Sequence, residues 1–233
     1  MSDKKQRILL AEDDQSFGRI LRDYLLLNGF DVTLTKDGID GWNNFRHHHF
    51  DLCILDVMMP KRDGIELAEM IRKENKLVPL VFLTAKKGKE DVLNGFGTGA
   101  DDYVVKPVDA EILLMKVKAL LRRTGFVTET NSAVAEFTIG MFTFNHNMRT
   151  LSHKQAQQLL SPKEADLLQL LCLHLNTLVT REDILRKLWK EVNYFNGRSL
   201  DVYIVKLRKY LALDENIELC NLHKSGYLLK VTG

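Results

Sequence analysis

Acids stand where apolar runs end in this chain. Arg7-Ile-Leu-Leu-Ala11 runs into Glu12, Asp13 and Asp14, and Leu52-Cys-Ile-Leu55 runs into Asp56. Two similar runs end in other reactive groups: Pro79-Leu-Val-Phe-Leu-Thr84 in a hydroxyl, and Tyr103-Val-Val105 in Lys106. Carboxylates brought together repel and resist ionising jointly unless a cation lies between them. Oxygen ligands of this kind suit Mg²⁺, which takes one or two carboxylates and keeps several waters. Mg²⁺ and the Lys106 ammonium would neutralise a phosphoryl group arriving at Asp56, and the Thr84 hydroxyl can bond one of its oxygens. A single acid of this sort reads as a strand cap or the partner of a surface lysine. Four strand ends of this kind together point to phosphoryl chemistry.

The elements that must bring these residues together alternate in type. After Arg7–Ala11, the apolar residues Phe17, Ile20, Leu21, Tyr24 and Leu25 recur at helical spacing, and Asn28-Gly29 ends that helix. Residues 30–35 read as a second strand, 38–45 as a helix, 52–55 as the third strand and 65–71 as a helix. Residues 79–84 form a fourth strand, 91–96 a helix, 103–105 a fifth strand and 111–123 an amphipathic helix. Such alternation predicts a parallel sheet with helices on both faces, whose carboxyl strand ends share one edge. That edge is where α/β folds keep their sites.

Composition bounds the rest. The chain has 233 residues, 45% hydrophobic and 27% charged, as in an ordinary globular protein. It has no apolar run of the length a membrane span needs. The basic start before Arg7 leads only into the short run that Glu12 ends, so no signal peptide is expected. Cys53, Cys172 and Cys220 are odd in number and scattered, which suits reduced thiols in a cytoplasmic protein. His47-His48-His49 reads as a solvated helix end, since adjacent side chains do not readily converge on one ion. Residues 1–123 carry 20 Lys+Arg against 20 Asp+Glu, and residues 136–233 carry 13 against 10. The surplus in the second half is small, so where its charges fall matters more.

Residues 124–136 are polar and without periodicity, a linker. Beyond it, residues 137–144 and 150–160 read as short antiparallel strands. Ser161-Pro-Lys-Glu164 is a capping box with proline at the first helical position. Leu167, Leu168, Leu170, Leu171 and Leu175 give that helix its core face. A second helix starts at Thr180 and runs to Trp189; a loop over 190–196 leads to a third over 197–211, and two strands, 218–222 and 227–231, close the chain. Helix, loop, helix and hairpin make a winged helix-turn-helix. On a helical wheel Leu200, Ile204, Leu207 and Leu211 form the core face of the third helix. The opposite face carries Arg198, Val202, Val205, Lys206 and Lys209, with Arg208, Tyr203 and Tyr210 to the sides. Basic residues interleaved with valines suit a major groove, where Arg or Lys reaches guanine and Val touches thymine methyls.

Ala11-Glu-Asp-Asp14, Leu55-Asp-Val-Met-Met-Pro60 with Gly64, Leu83-Thr-Ala85 and Gly99-Ala-Asp-Asp-Tyr-Val-Val-Lys-Pro107 make residues 7–123 similar to the receiver domain of two-component response regulators. The resemblance implies a flavodoxin-like fold in which Asp56 accepts phosphate from a sensor histidine kinase. Glu12, Asp13, Asp56 and the Met58 carbonyl would hold Mg²⁺, and Lys106 would contact the phosphoryl group ahead of a cis Lys106-Pro107 bond. Thr84 and Tyr103 fill the family's two switch positions. Val108 departs from the phenylalanine usual after the Lys-Pro pair, a matter of local packing. Residues 137–233 resemble the winged-helix effector of the OmpR/PhoB class, Arg198-Ser-Leu-Asp-Val-Tyr-Ile-Val-Lys-Leu-Arg-Lys209 matching its recognition helix. That alignment adds Ser199 to the DNA-facing residues and places His223 and Lys224 in the wing, where the family often has a minor-groove arginine. The loop over 190–196 occupies the place that in some members touches RNA polymerase.

The implied architecture is a receiver over 1–123, a linker over 124–136 and a DNA-binding domain over 137–233. Family receivers of this class dimerise through their fourth helix, fifth strand and fifth helix by ion pairs across subunits. Asp102 and Lys116 keep one such pair, while Val92 and Ile112, with Phe96 beside them, replace another by apolar groups. The expectation is a phosphorylation-controlled transcription factor that dimerises on promoter DNA with tandem half-sites. A phosphohydrolase is the alternative, since strand-end aspartates with Mg²⁺ and Lys also serve hydrolases of the haloacid-dehalogenase type. Those need a second Asp two residues after the nucleophile, and Met58 stands there, so an enzyme is not expected. A regulator that binds DNA without phosphorylation is a third reading. Met58 and Lys86 hold the positions that in receivers tune phosphoryl lifetime.

Overall fold

The computed structural model describes residues 5–85, 100–125, 136–154, 156–190, 192–222 and 225–232, with the side chains of 123–125 and 195 excepted. The chain divides into two compact units, Met1–Phe126 and Val127–Gly233. Among the described residues, no helix is long and apolar enough to cross a membrane.

In the first unit, β1 (Arg7–Ala11), β2 (Asp31–Thr35), β3 (Leu52–Asp56), β4 (Leu80–Ala85) and β5 (Asp102–Lys106) form a parallel sheet in the order β2-β1-β3-β4-β5. Every residue of β3 is buried, which is why that strand reads as a continuous apolar run rather than an alternation. Its helices are α1 (Gln15–Leu27), α2 (Gly38–His47), α3 (Gly64–Glu74) and α4 (Ala110–Gly125). Ile8, Leu10, Ile54 and Val81 pack with Leu21, Leu25, Leu113 and Val117 in one core, against which Val108 lies partly buried. Gly29, at φ +91°, follows α1 as expected of a left-handed helix stop. His47 to His49 are exposed at the end of α2. The helix expected over 91–96 lies outside the described residues, as does most of the linker. α4 continues two residues past the expected end at 123.

The second unit has more strands than the sequence suggests. The two expected runs resolve into four, β6 (Glu136–Ile139), β7 (Phe142–Asn145), β8 (Thr150–His153) and β9 (Ala156–Leu159), in one antiparallel sheet. Gly140 and Lys154, at φ +54° each, make the turns inside those runs. α5 (Pro162–Leu173) starts at the expected capping box, Ser161 and Glu164 bonding each other's backbone N–H. α6 (Arg181–Trp189) is capped by Thr180. α7 (Tyr194–Leu211) begins three residues before the expected start because the Asn193 side chain accepts from Asn196 N at 2.8 Å; the loop before it shrinks to match. β11 (Ile217–Leu222) and β12 (Gly226–Val231) form the wing hairpin, and a two-residue strand, β10 (Val179–Thr180), pairs with β12. Leu167, Leu168 and Leu171 of α5 meet Leu200, Ile204, Leu207 and Leu211 of α7 in a core with Phe144, Trp189 and Leu229. The three cysteines are free, with Cys53 buried and the others half-buried.

Candidate functional site

The strand order of the first unit reverses between β1 and β3, so their carboxyl ends flank the point where ligands enter such sheets. Glu12 and Asp13 follow β1, and Asp56 ends β3. Asp14 is diverted elsewhere: its side chain caps α1, accepting from Ser16 N and Phe17 N. The third acid of the run is therefore a helix cap, which the sequence leaves undistinguished from the other two. Glu12 is 0% exposed and Asp56 4%. Lys106 Nζ lies 2.7 Å from Asp56 Oδ2 and 2.8 Å from Glu12 Oε1. The second Asp56 oxygen accepts from Met58 N at 3.1 Å.

This electrostatic balance is incomplete. Burial, with the neighbouring Asp56 charge, pushes the Glu12 carboxyl up to about 7 despite its bond to Lys106. Partial burial works to lower the Lys106 pKa, but its bonds to Asp56 and Glu12 outweigh this and raise it. Among the described residues, Glu12 Oε2 is buried with no hydrogen-bond partner. Oxygens of Glu12, Asp13 and Asp56 lie within 4.8 Å of one another. A carboxylate with an orphaned oxygen, grouped with two further carboxylates, is a donor set fitted to a hard divalent cation such as Mg²⁺.

The remaining receiver residues fall around this pocket. Thr84 is buried, its hydroxyl 3.3 Å from the Ala85 carbonyl. Tyr103 is turned inward, its ring 5.6 Å from that of Phe82. The Lys106-Pro107 peptide is cis. Gly64 is required by close approach: a methyl there would overlap the Asp56 carbonyl oxygen. A second clamp, absent from the sequence reading, joins the loop after β3 to α2. Lys61 Nζ bonds the buried Asp37 carboxylate at 2.6 Å, and that carboxylate also caps α2. Lys86 lies outside the described residues.

The expected dimer-face residues are partly visible. Asp102 and Lys116 are bonded to each other within one chain, Nζ to Oδ1 at 3.0 Å. The structure therefore shows them as an intrachain pair, with no partner subunit needed to satisfy either. Ile112 is 42% exposed on α4, with Met115 at 65% beside it. Val92 and Phe96 lie outside the described residues.

On α7 the structure corrects two DNA-facing assignments. Tyr203 is 0% exposed and stacks on Trp189 at 6.1 Å, and Ser199 is buried too. Both lie beyond the edge of the outer stripe, so their side chains cannot meet a phosphate or a base. Arg198, Val205, Arg208 and Lys209 are exposed, and Val202 and Lys206 half-buried. His223 and Lys224 fall outside the described residues. Sequence reasoning missed the network under the start of α7. Arg181 bonds the Asp201 carboxylate at 2.5 Å, the Tyr227 hydroxyl at 2.7 Å and the Gly197 carbonyl at 2.6 Å, and so ties α6, α7 and β12 together. The bond to Asp201 foremost raises the Arg181 pKa, while burial and then Asp201 push the Tyr227 phenol up to about 12. Arg181 and Tyr227 stand 46 positions apart and the network shares no motif, so only the fold reveals it.

Comparison with known proteins agrees with both halves. Residues 8–118 match the response regulator receiver domain, and residues 155–229 the family described as transcriptional regulatory protein, C terminal. The chain is 46% identical over 227 residues to the transcriptional regulatory protein RprY of Bacteroides fragilis, covering 97% of this chain and 95% of that one. Among solved structures it is similar to DrrB of Thermotoga maritima, an OmpR/PhoB homolog, at 28% identity and a TM-score of 0.50, over 97% of this chain and 100% of DrrB. It shares its fold with a mutant of RitR at 23% identity and a TM-score of 0.70, over 97% of this chain and 100% of the RitR chain. The chain belongs to the two-component response regulators of the OmpR/PhoB type, pairing a receiver with a DNA-binding output domain. It is a transcriptional regulator.

Proposed function

We propose that Asp56 accepts a phosphoryl group from a sensor histidine kinase and that this modification drives the winged helix onto promoter DNA. The observation that carries the reading is the buried Asp56 carboxylate, bonded at 2.7 Å to Lys106 beside the orphaned oxygen of Glu12. In the transfer, an Asp56 oxygen forms the new O–P bond while the P–N bond of the kinase phosphohistidine breaks, its electron pair passing to the imidazole nitrogen. Glu12, Asp13, Asp56 and the Met58 carbonyl would hold Mg²⁺, whose charge offsets that of the arriving phosphoryl group. Lys106 contributes a second fixed positive charge that needs no reorganisation during the reaction. Thr84 and Tyr103 then report the modification, the hydroxyl toward the phosphoryl oxygens and the ring by its inward packing.

The product is retained as a signal rather than turned over. Met58 stands two residues after Asp56 and offers no proton to a leaving group or an attacking water. The chain is thus a stoichiometric acceptor with at most slow self-dephosphorylation. Negative charge on Asp56 biases a bistable receiver face toward a homodimer, and two output domains then bind adjacent half-sites. The exposed Ile112 and Met115 on α4 favour a dimer less sensitive to salt than one held by ion pairs. RNA polymerase is a further partner, through the loop before α7.

Incubation with acetyl phosphate and Mg²⁺, followed by intact mass and DNA affinity, with beryllofluoride as a phosphoryl mimic in the affinity measurement, tests phosphoryl acceptance and its effect on DNA binding. One phosphoryl group per chain with tighter DNA binding is expected. Multiple turnovers would identify a phosphohydrolase, and unchanged affinity a regulator independent of phosphorylation.

A further inference from the structure

The loop over 57–63 joins the end of β3 to the start of α3 and carries Met58, which bears on the acidic pocket twice. Its N–H donates to Asp56 Oδ1 at 3.1 Å, and its carbonyl is the backbone group that would hold Mg²⁺. Where this loop sits therefore sets both the orientation of the acceptor carboxylate and the reach of a cation ligand. Its two ends are fixed by the sheet and α3: Val57 N donates to the Leu83 carbonyl at 2.9 Å, and Gly64 N to the Val57 carbonyl at 3.1 Å. Its tip is held from the start of α2. Gly38 N donates to the Arg62 carbonyl at 3.1 Å, and Lys61 Nζ donates to Asp37 Oδ2 at 2.6 Å.

That ion pair is unlike an ordinary surface one. Asp37 is buried although Lys61 is exposed, so losing the ammonium would leave a buried charge uncompensated. Asp37 Oδ1 accepts from Asp40 N at 2.8 Å, which orients the carboxylate before Lys61 reaches it. Lys61 stands at φ +66°, in the left-handed region where glycine is at ease and a long side chain is not. Its ammonium lies at the N-terminal end of α2, where the helix dipole disfavours a cation. A lysine kept in strained backbone at the unfavourable end of a helix is accounted for by its carboxylate partner.

We propose that Lys61 is a positioning residue for the phosphoacceptor site: through Asp37 it holds the loop so that Met58 is in place before a cation or phosphoryl group arrives. The inference rests on the Mg²⁺ and phosphoacceptor reading above and adds a residue to it. A loop released from this clamp must be ordered when the ion binds, and affinity then falls by the fraction of chains already in the competent arrangement. A through-space effect of the charge has the opposite sign, because removing a nearby cation would tighten Mg²⁺ binding.

The test follows Mg²⁺ binding to the full chain by titration calorimetry, together with the rate of acetyl phosphate labelling as Mg²⁺ is varied. Lys61→Met should weaken Mg²⁺ binding roughly three- to ten-fold, as when about a third to a tenth of released loops keep the bound arrangement. Labelling should slow at low Mg²⁺ and recover at saturating Mg²⁺. Lys61→Arg, which keeps the pair, should hold the wild-type affinity. Lys61→Gly, which relieves the backbone but lacks the ammonium, should not. Asp37→Asn keeps the α2 cap and should match Lys61→Met, with the double variant no worse than either; it carries the test alone if Lys61→Met does not fold. Unchanged or tighter Mg²⁺ binding in these variants overturns the clamp and leaves the acceptor site standing. A wild-type chain that binds no Mg²⁺ or takes up no phosphoryl group overturns the reading beneath it.

Discussion

Asp56 and Glu12 are two buried carboxylates that share the Lys106 ammonium. Removing that cation leaves two like charges facing each other in a poorly solvated pocket. Lys106→Met should therefore destabilise the metal-free receiver by about 3 kcal/mol, at the low end of the cost of breaking a buried pair. Mg²⁺ should restore part of the loss, because a divalent ion takes over the neutralisation; denaturant titration with and without Mg²⁺ reads both effects. No recovery would place the Mg²⁺ ligands elsewhere. Asp56→Asn should abolish the mass increase given by acetyl phosphate while leaving the far-UV spectrum unchanged. The charged strand-end residues were readable in the sequence because each interrupts an apolar run with a charge, whereas Thr84, of a type common in strands, was readable only as one of the set. Asp14 was not distinguishable from its neighbours, since helix capping and metal ligation call for the same carboxylate.

At the level of elements, two close approaches hold the functional surfaces in place. Gly64 lets α3 start directly against the Asp56 carbonyl. Gly64→Ala should cost about 1 to 3 kcal/mol, the usual range for overpacking, and slow phosphorylation by displacing the β3 end; normal labelling would show that the strand end had not moved. In the second unit, Asp214 secures the turn at Gly140 by accepting from Met141 N at 2.7 Å and also accepts from Asn216 N at 3.0 Å. The bond from Met141 N foremost lowers the Asp214 pKa below its ordinary 3.8. A depressed acid stabilises the fold above its unfolded pKa and loses that contribution as pH falls through the folded value. Wild type should thus lose more stability than Asp214→Asn as pH falls from above the ordinary 3.8 to below it; equal losses would mean the turn does not depend on the ionised carboxylate. The periodic elements of both units were legible because burial imposes its period on them, and the exceptions have local causes. Residues 150–160 hold no glycine or proline to mark the turn that Lys154 makes at φ +54°, so one long strand and a hairpin look alike. Asn193 caps α7 ahead of Gly197, the expected start, and a glycine in the first turns lowers helix propensity enough to hide the residues before it. Tyr203 lies at the margin of the wheel, where an aromatic ring and its hydroxyl suit a phosphate or a core equally, and stacking on Trp189 decides for the core.

For the whole molecule, the proposed function joins a charge change at Asp56 to an event at α7. The exposed Ile112 and Met115 make that link a testable one. Beryllofluoride should raise the sedimentation coefficient to that of a dimer, and the dimer should persist as ionic strength rises; dissociation at moderate salt would mean that ion pairs carry the interface. The most direct measurement is the affinity of one purified preparation for a selected promoter duplex before and after stoichiometric phosphorylation, at fixed salt, with Asp56→Asn in parallel. Dimerisation on tandem half-sites predicts an increase of about a hundred-fold, absent from Asp56→Asn. Full labelling of Asp56 with no change in affinity would contradict the account.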